Sequence, residues 1–300
     1  MHQNAKYLFI LIILISFVSG CKTTKDISTA VNTLFPKSEK TLEKKDYQKN
    51  KVVKKNNNDS TSCNDAFLKM FITYATKENS QQCFMEFNKK QYQRAYKICR
   101  PSAEKGDPFS QFVTATIYDE GLEVEQSFEQ AFNWFKLAAE QGMVFPQFKL
   151  GIMYSEGLGT KQNYKKGFEW HLLAAEKGWC GSMHALGVMF DEGFGVPQSY
   201  KEAFKWYKKA AERGESLAQT NIGVMYAQGK GISKDYIKAH MWYNLASVQF
   251  DDQKSVYMTK NKSNVARLNK ANLEKFMSPD QIVEAQELAK KCYENNYKDC

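Results

Sequence analysis

The stretch Ala138-Ala-Glu-Gln-Gly142 returns 36 residues later as Ala174-Ala-Glu-Lys-Gly178 and again as Ala210-Ala-Glu-Arg-Gly214. Ser102-Ala-Glu-Lys-Gly106 is the same element one period earlier. The tryptophans and one set of glycines keep this spacing: Trp134, Trp170, Trp206 and Trp242, with Gly121, Gly157, Gly193 and Gly229. Several sets of equivalent residues, which we call columns, recur with the same spacing over four periods. They indicate an internal repeat, which is the signature of stacked repeat architectures.

Each period is expected to form two helices. In the first helix, Leu150 and Tyr154 lie four residues apart on one face. Gly151 is costly inside a helix, so its recurrence as Gly187 and Gly223 indicates close helix approach. Gly157 and Gly159 are expected to end this helix. The second helix is predicted from Tyr164 to Lys177, with small residues packing against the first helix and the tryptophans filling the interior: Ala131, Gly167, Ala203 and Ala239 are the small ones.

These columns resemble the Sel-one-like repeat family, which is related to the tetratricopeptide repeats. The matching segments are 109–142, 145–178, 181–214 and 217–249. The resemblance implies an all-α fold, an α-solenoid of stacked antiparallel helix pairs with a 36-residue repeat. Residues 63–108 are then N-terminal capping helices and a half-repeat, and residues 250–300 are C-terminal capping helices. Ser278-Pro-Asp-Gln281 is predicted to open the last helix, which runs to about Cys292.

The first loop departs from the pattern, because Glu123 stands where Gly159, Gly195 and Gly231 stand in the other repeats. The conformation of this loop is therefore left open.

The N-terminus is typical of an export signal. A cation precedes the apolar run Tyr7–Phe17, which is shorter than the roughly 20 residues that span a bilayer. Val18-Ser-Gly-Cys21 resembles the lipobox of bacterial lipoproteins, which implies removal of residues 1–20 and acylation of Cys21. Residues 21–62 are expected to be a disordered Lys/Asn-rich tether. The alternative is an uncleaved membrane anchor.

The location expected from this signal is the bacterial cell envelope, with a lipid anchor in the membrane. Lys22 stands where an aspartate commonly retains such proteins at the inner membrane, so the outer membrane is favoured, facing the periplasm or the cell surface.

Composition argues against several other classes. The net charge is +9, but Lys22–Ser62 carries ten lysines against five acids, and the remaining excess is spread thinly. That distribution does not form a phosphate-binding stripe, so nucleic acid is not expected as a partner. The sequence has no C-x-x-C pair and no histidine at zinc-ligand spacing, so neither a metal site nor a cofactor is expected.

Six cysteines besides Cys21 allow fifteen pairings. A disulfide between Cys292 and Cys300 is predicted because they flank a short segment after the last helix. The resemblance to the Sel-one-like repeat family also implies this pair, since many of its proteins end with a similar one. Cys83 and Cys99 are expected to meet across the half-repeat hairpin. The cysteine-rich relatives carry cysteines where this chain has Ala139, Ala175 and Ala211, so disulfides are expected only at the ends of the array.

Signals for an enzyme are few. Ser102-Ala-Glu-Lys105 fits the S-x-x-K motif of penicillin-binding enzymes, but Ser102 occupies a packing position of the repeat, and neither S-D-N nor K-T-G accompanies it. His171 is expected at a packing or rim position, whereas His184 is expected to face a groove. The chain is therefore predicted not to be an enzyme, with a β-lactamase-like hydrolase as a distant alternative.

Binding is expected on the first helices, which line the concave side in tetratricopeptide relatives. By that resemblance the exposed positions are Phe112, Thr116, Asp119, Glu120, Phe148, Ile152, Ser155, Glu156, His184, Val188, Asp191, Glu192, Thr220, Val224, Ala227 and Gln228. Their mixture of apolar and acidic residues favours a protein or peptide partner with some basic character, although the acids can also be ordinary helix-surface charge. The chain is interpreted as a monomeric adaptor or scaffold. The alternative is a surface-exposed or released factor that engages host proteins.

Overall fold

The structure is a computed structural model, and it describes residues 73–74, 78–249, 261–298 and 300. All of them belong to one compact unit, Thr61–Cys300. The expectations for the signal peptide, the tether and Cys21 lie outside the described residues.

Twelve helices make up the described part of the chain. The first six are α1 (Glu78–Asn88), α2 (Tyr92–Glu104), α3 (Pro108–Glu120), α4 (Phe128–Glu140), α5 (Val144–Glu156) and α6 (Tyr164–Glu176). The other six are α7 (Cys180–Glu192), α8 (Tyr200–Ala211), α9 (Ser216–Gln228), α10 (Tyr236–Gln249), α11 (Asn261–Glu274) and α12 (Pro279–Glu294).

The helices pack in chain order, as the solenoid prediction requires. The pairs α3–α4, α5–α6, α7–α8 and α9–α10 make the most extensive contacts, and each pair then packs on the next through α4–α5, α6–α7 and α8–α9. The α1–α2 hairpin covers the first pair, while α11 and α12 both pack on α10. The all-α solenoid is confirmed.

Edge-to-face aromatic pairs lie between successive helix pairs. Phe132 of α4 contacts Tyr154 of α5 with ring centroids 5.2 Å apart. The same arrangement recurs one and two repeats later, with centroids 5.6 Å apart: Phe168 with Phe190, and Phe204 with Tyr226. These rings fill the layer between neighbouring pairs.

Polar caps determine where the second helices begin. Ser127, Asn163, Ser199 and Asp235 each accept a hydrogen bond from the backbone N–H three residues later. Such a bond satisfies one of the N–H groups that the first turn leaves unpaired. The last helix begins with the expected capping box, in which Ser278 and Gln281 bond each other's backbone N–H.

Glycines in the left-handed region end the first helices. Gly121, Gly157, Gly193 and Gly229 have φ between 64° and 77°. Glu123 keeps a left-handed φ of 56° although it replaces a glycine, and its carboxylate accepts a hydrogen bond of 2.9 Å from the backbone N–H of Gln93 in α2. The first loop therefore retains the loop conformation of the other repeats.

Disulfides lie at both ends of the array. Cys83 of α1 is bonded to Cys99 of α2, with Cα atoms 5.1 Å apart. Cys292 is bonded to Cys300, with Cα atoms 5.3 Å apart. Cys180, at the start of α7, is also disulfide-bonded. The expectation of disulfides only at the ends is therefore wrong, because Cys180, in the middle of the array, is also disulfide-bonded.

Candidate functional site

The interior of each helix pair is built from a large ring on the second helix facing a small residue on the first. We call Phe135, His171, Tyr207 and Tyr243 the ring column, and all four are buried. A Cβ at Gly187 would overlap the ring of Tyr207, and a Cβ at Gly151 or Gly223 would overlap the ring of His171 or Tyr243. The helical glycines therefore provide the space for these rings.

The tryptophan column lies beside the ring column and is less buried. Of Trp134, Trp170, Trp206 and Trp242, only Trp242 is fully buried, at 1% exposure. The other three are half-buried, and Lys209 lies over the ring of Trp206 at 4.1 Å from its centroid. The expectation that this column fills the interior in every repeat is wrong for these three, because the next residue along the helix takes that position.

Buried glutamines connect successive pairs. The side chains of Gln111, Gln147 and Gln219 each donate to the last-turn carbonyl of the preceding second helix, at 3.1–3.2 Å. The third repeat has Met183 at this position. Here His171 Nδ1 instead lies 3.3 Å from Ser182 Oγ. The junction between α6 and α7 is thus chemically distinct from the others.

The outward side of α3, α5, α7 and α9, which we call the first-helix face, carries the residues predicted to bind a partner. Three of them are buried at 7% exposure: Phe112, Thr116 and Thr220. The hydroxyls of Thr116 and Thr220 donate to backbone carbonyls of their own helices. The expectation that these three are exposed is wrong: the ring of Phe112 packs between those of Phe109 and Phe145, and each threonine hydroxyl is bonded within its own helix.

The accessible part of the first-helix face is a two-row surface. Ile152, Val188 and Val224 are half-buried and occupy equivalent positions in three successive repeats. The end of each first helix is exposed, at Glu120, Glu156, Glu192 and Gln228. An apolar row therefore runs beside a largely acidic row.

Two of the predicted acids have partners within the fold. Asp119 forms an ion pair of 2.5 Å with Lys149 of the next first helix. Asp191 accepts a hydrogen bond from the buried hydroxyl of Tyr207, and burial raises the pKa of this carboxyl, with Lys230 opposing the shift. Asp119 and Asp191 thus stabilise the array, whereas Glu156 and Glu192 are exposed.

His171 and His184 differ in their surroundings. His171 is buried beside Phe148 and Ser182, and burial lowers its pKa to about 4, with His184 contributing. His184 is half-buried on the face, and its Nε2 lies 3.2 Å from Asn221 Nδ2. His171 therefore has a packing role, which is one of the two roles expected for it (packing or rim).

A shallow surface depression lies at the C-terminal end of the first-helix face. It is lined by residues of α9, α10 and α11, including Val224, Ala227, Tyr243 and Asn272, and by Phe276 just beyond α11. Phe276 is 71% exposed, which is unusual for a phenylalanine. The repeat pattern does not predict this depression, because α11 lies outside the repeats.

The geometry gives little support to the residues considered for catalysis or metal binding. Ser102 lies half-buried near the end of α2, and its carbonyl accepts the backbone N–H of Asp107. Within the described ranges, no group of three or more His, Cys, Asp and Glu side chains is arranged to hold a metal ion. None of the helices described above is both long and apolar enough to cross a bilayer.

The chain matches the Sel1 repeat family over residues 108–143, 147–179, 181–215 and 216–247. No curated protein matches it significantly.

Among solved structures, it is similar to a protective antigen of uropathogenic Escherichia coli strains that displays an SLR fold. That similarity has 32% identity and a TM-score of 0.60, and it covers 68% of this chain and 42% of the antigen. This chain therefore spans less than half the length of that relative.

It is also similar to a Sel1 repeat protein from Oxalobacter formigenes, at 26% identity and a TM-score of 0.53, covering 71% of this chain and 99% of that protein. Sel1 repeat proteins generally mediate protein–protein interaction and act as non-enzymatic scaffolds. Residues 108–247 consist of four Sel1 repeats, and this part of the chain belongs to the Sel1 repeat family.

Proposed function

We propose that this protein is a lipid-anchored adaptor of the bacterial envelope that binds a protein partner through the first-helix face. The observation that carries the binding proposal is the two-row surface of Ile152, Val188 and Val224 beside Glu120, Glu156 and Glu192. Ile152, Val188 and Val224 stay apolar in three successive repeats, although their side chains remain partly accessible.

The chemistry of the two rows suggests the partner's chemistry. A helical or extended segment can place apolar side chains on Ile152, Val188 and Val224 and lysine or arginine side chains against the exposed glutamates. Exposed charge pairs contribute little affinity but set orientation and association rate. The partner is therefore a protein segment with one apolar and one basic side.

A charge-reversal pair tests the face. Glu156→Lys with Glu192→Lys changes two exposed residues at the ends of α5 and α7, so the melting temperature should stay nearly unchanged. The matched control is Glu140→Lys with Glu176→Lys, which makes the same change at the ends of α4 and α6. A photocrosslinking residue at position 188 should capture a partner in intact envelopes from the parent and the control but not from the first pair. Equal capture by both pairs would refute the assignment.

The lipid anchor is tested separately by fractionation. Acylation of Cys21 supplies the chains that hold a protein stably at a membrane, and two or more are needed for that. Cys21→Ser should move the protein from the membrane fraction to the soluble or unprocessed pool. Retention of the variant at mature size in the membrane fraction would exclude this anchor.

A host-directed role is the second candidate, and one comparison favours it. The similar protein of uropathogenic Escherichia coli is described as a protective antigen. Protease treatment of intact cells separates the two candidates: a host-directed protein is degraded, whereas a periplasm-facing adaptor is protected until the outer membrane is opened.

A further inference from the structure

The second helices carry the same apolar pair in three of the four repeats. A tryptophan is followed three residues later by a leucine, which lies one turn along on the same side of the helix. The pairs are Trp134 with Leu137, Trp170 with Leu173, and Trp242 with Leu245. In the third repeat, Lys209 takes the place of the leucine beside Trp206.

The last of these pairs is covered by another helix. Trp242 and Leu245 are 1% and 4% exposed, and they belong to one buried cluster with Ala289 and Cys292 of α12. The other terminal helix, α11, packs on a different side of α10, where Tyr243 lies. The fold thus shows that a helix can pack on the tryptophan–leucine pair.

The first two pairs remain accessible in the part of the chain that the structure describes. Leu137 is 44% exposed and Leu173 is 43% exposed, while Trp134 and Trp170 are half-buried. We call these four residues the outer stripe. One exposed leucine is ordinary on a protein surface, but here the exposure recurs beside a tryptophan at the same position of two repeats. Tryptophan is also enriched among the residues that carry binding energy at interfaces.

The outer stripe lies away from the first-helix face. Successive first helices, such as α5 and α7, approach each other more closely than successive second helices do. The array is therefore more open on the side of α4 and α6, which carry the outer stripe.

The contact surface of α12 shows what kind of helix fits on the pair. Its buried residues are Ala285, Ala289 and Cys292, which are spaced by four and three positions and so form one side of small residues. Small side chains allow two helices to approach closely, so that the larger tryptophan and leucine side chains fill the contact. Leu288 lies half-buried against the same cluster.

The charges around the outer stripe have both signs. Lys136 and Glu140 form an ion pair of 3.9 Å on α4, and Lys166 and Glu169 are both exposed on α6. A mixed surface of this kind gives no net attraction to anionic lipid headgroups. Apolar packing, not charge, therefore determines what binds here.

We propose that the outer stripe is a docking site for an amphipathic helix of a partner protein whose packing side consists of small residues, as that of α12 does. This helix repeats, on the first two repeats, the contact that α12 makes on the fourth. Lys209 and the exposed Lys205 end the site at the third repeat. The site uses other helices than the first-helix face does, so it is independent of the binding proposed there.

A peptide with the sequence of α12 tests the site. The probe is residues 278–294 with Cys292→Ser, labelled with a fluorophore and titrated with the full chain purified from its envelope, and fluorescence anisotropy measures binding. We expect saturable binding, which Leu137→Lys with Leu173→Lys should weaken roughly tenfold or more. The matched control is Val265→Lys with Leu268→Lys, which changes two exposed apolar residues of α11 and should leave the affinity unchanged.

Two further measurements define the site. A probe that also carries Ala289→Lys has a charge on its small-residue side and should bind roughly tenfold more weakly. Glu156→Lys with Glu192→Lys alters the first-helix face and should not change peptide binding, so failure of either proposal is distinguishable from failure of the other.

Three results would overturn the proposal. One is the absence of saturable binding. Another is equal affinity for the parent and for Leu137→Lys with Leu173→Lys, because the peptide would then displace α12 or bind elsewhere. The third is binding of anionic phospholipid vesicles, lost in the same double variant, without binding of the peptide, because the stripe would then be a membrane contact.

Lys209→Leu supplies a test by gain of binding. It completes the pair with Trp206 in the third repeat and extends the outer stripe by one repeat. Peptide binding should become about two- to threefold stronger, because more apolar surface is buried on docking. An unchanged affinity would mean that the tryptophan–leucine pair is not what the helix recognises.

Discussion

The ring column and the tryptophan column run side by side along the second helices, and their roles are opposite to what their sequences suggest. Tryptophan is identical in all four repeats, yet only Trp242 is fully buried. The ring column contains phenylalanine, histidine and tyrosine, yet every member is buried. Identity across repeats therefore does not mark the interior of this array.

The glycines explain how a buried position can vary. Gly151, Gly187 and Gly223 lie so close to the opposite rings that a Cβ would overlap them. The small first-helix residue determines the space, and any flat ring can then fill it. Trp206 illustrates the other role: it lies at the rim, with one side against the core and Lys209 over its ring.

The largest expected difference is between Tyr207→Ala and Trp206→Ala. Truncating fully buried Tyr207 should cost about 3–5 kcal/mol of unfolding free energy, as other large buried rings do. Truncating half-buried Trp206 should cost about 1–2 kcal/mol, although tryptophan is larger. Urea unfolding followed by circular dichroism measures both. A larger loss for Trp206→Ala would reverse the assignment of the two columns.

Much of the fold follows from sequence because it depends on local chemistry. The 36-residue period, the glycines after the first helices and the capping box at Ser278 are all readable in the chain. Each acts within a few residues of its own position, so the sequence alone indicates it.

The candidate site could be predicted only in part, because burial depends on residues far away in sequence. Phe112 and Thr220 occupy the same repeat position as Phe148 and His184, but they are more buried. Likewise, no repeat pattern around Cys180 indicates that it is disulfide-bonded.

The next largest expected effect concerns the glycines that lie opposite the ring column. Gly187→Ala places a Cβ on the Tyr207 ring, and Tyr207 is further held by Asp191. Overpacking of this kind costs about 1–3 kcal/mol, and we expect a value near the upper end. The reverse change at the equivalent position, Ala115→Gly, should cost about 1–2 kcal/mol, from helix propensity and the loss of one buried methyl group. Equal costs would mean that the ring column is not limited by the opposite residue.

Histidine at the ring column should make stability depend on pH. The pKa of His171 is about 4 when folded, against about 6.5 for an exposed histidine. Below pH 6.5 the unfolded chain binds the proton and the folded chain does not, so stability falls as pH decreases towards 4. Between pH 7 and pH 5 this amounts to about 2 kcal/mol.

His171→Phe supplies the control, because Phe135 occupies the same position in the first repeat. Thermal melts at pH 5 and pH 7 should differ by less in this variant than in the parent protein. If both lose the same stability, another group titrates and His171 is not the source.

The smallest expected effect concerns the rim role of the tryptophan column. Lys209 Nζ lies 4.1 Å from the centroid of the Trp206 ring, and an ammonium over an exposed indole contributes about 0.5–1 kcal/mol. Lys209→Gln should therefore lower the unfolding free energy by about 0.5 kcal/mol. Lys201→Gln removes the same charge from an exposed position in the first turn of the same helix, and it should change stability by less.

Combining Lys209→Gln with Trp206→Phe isolates the contribution of the pair. If the two side chains form a cation–π contact, the double variant should lose less stability than the sum of the two single variants. Additive losses would leave Trp206 as a purely apolar cover over the core.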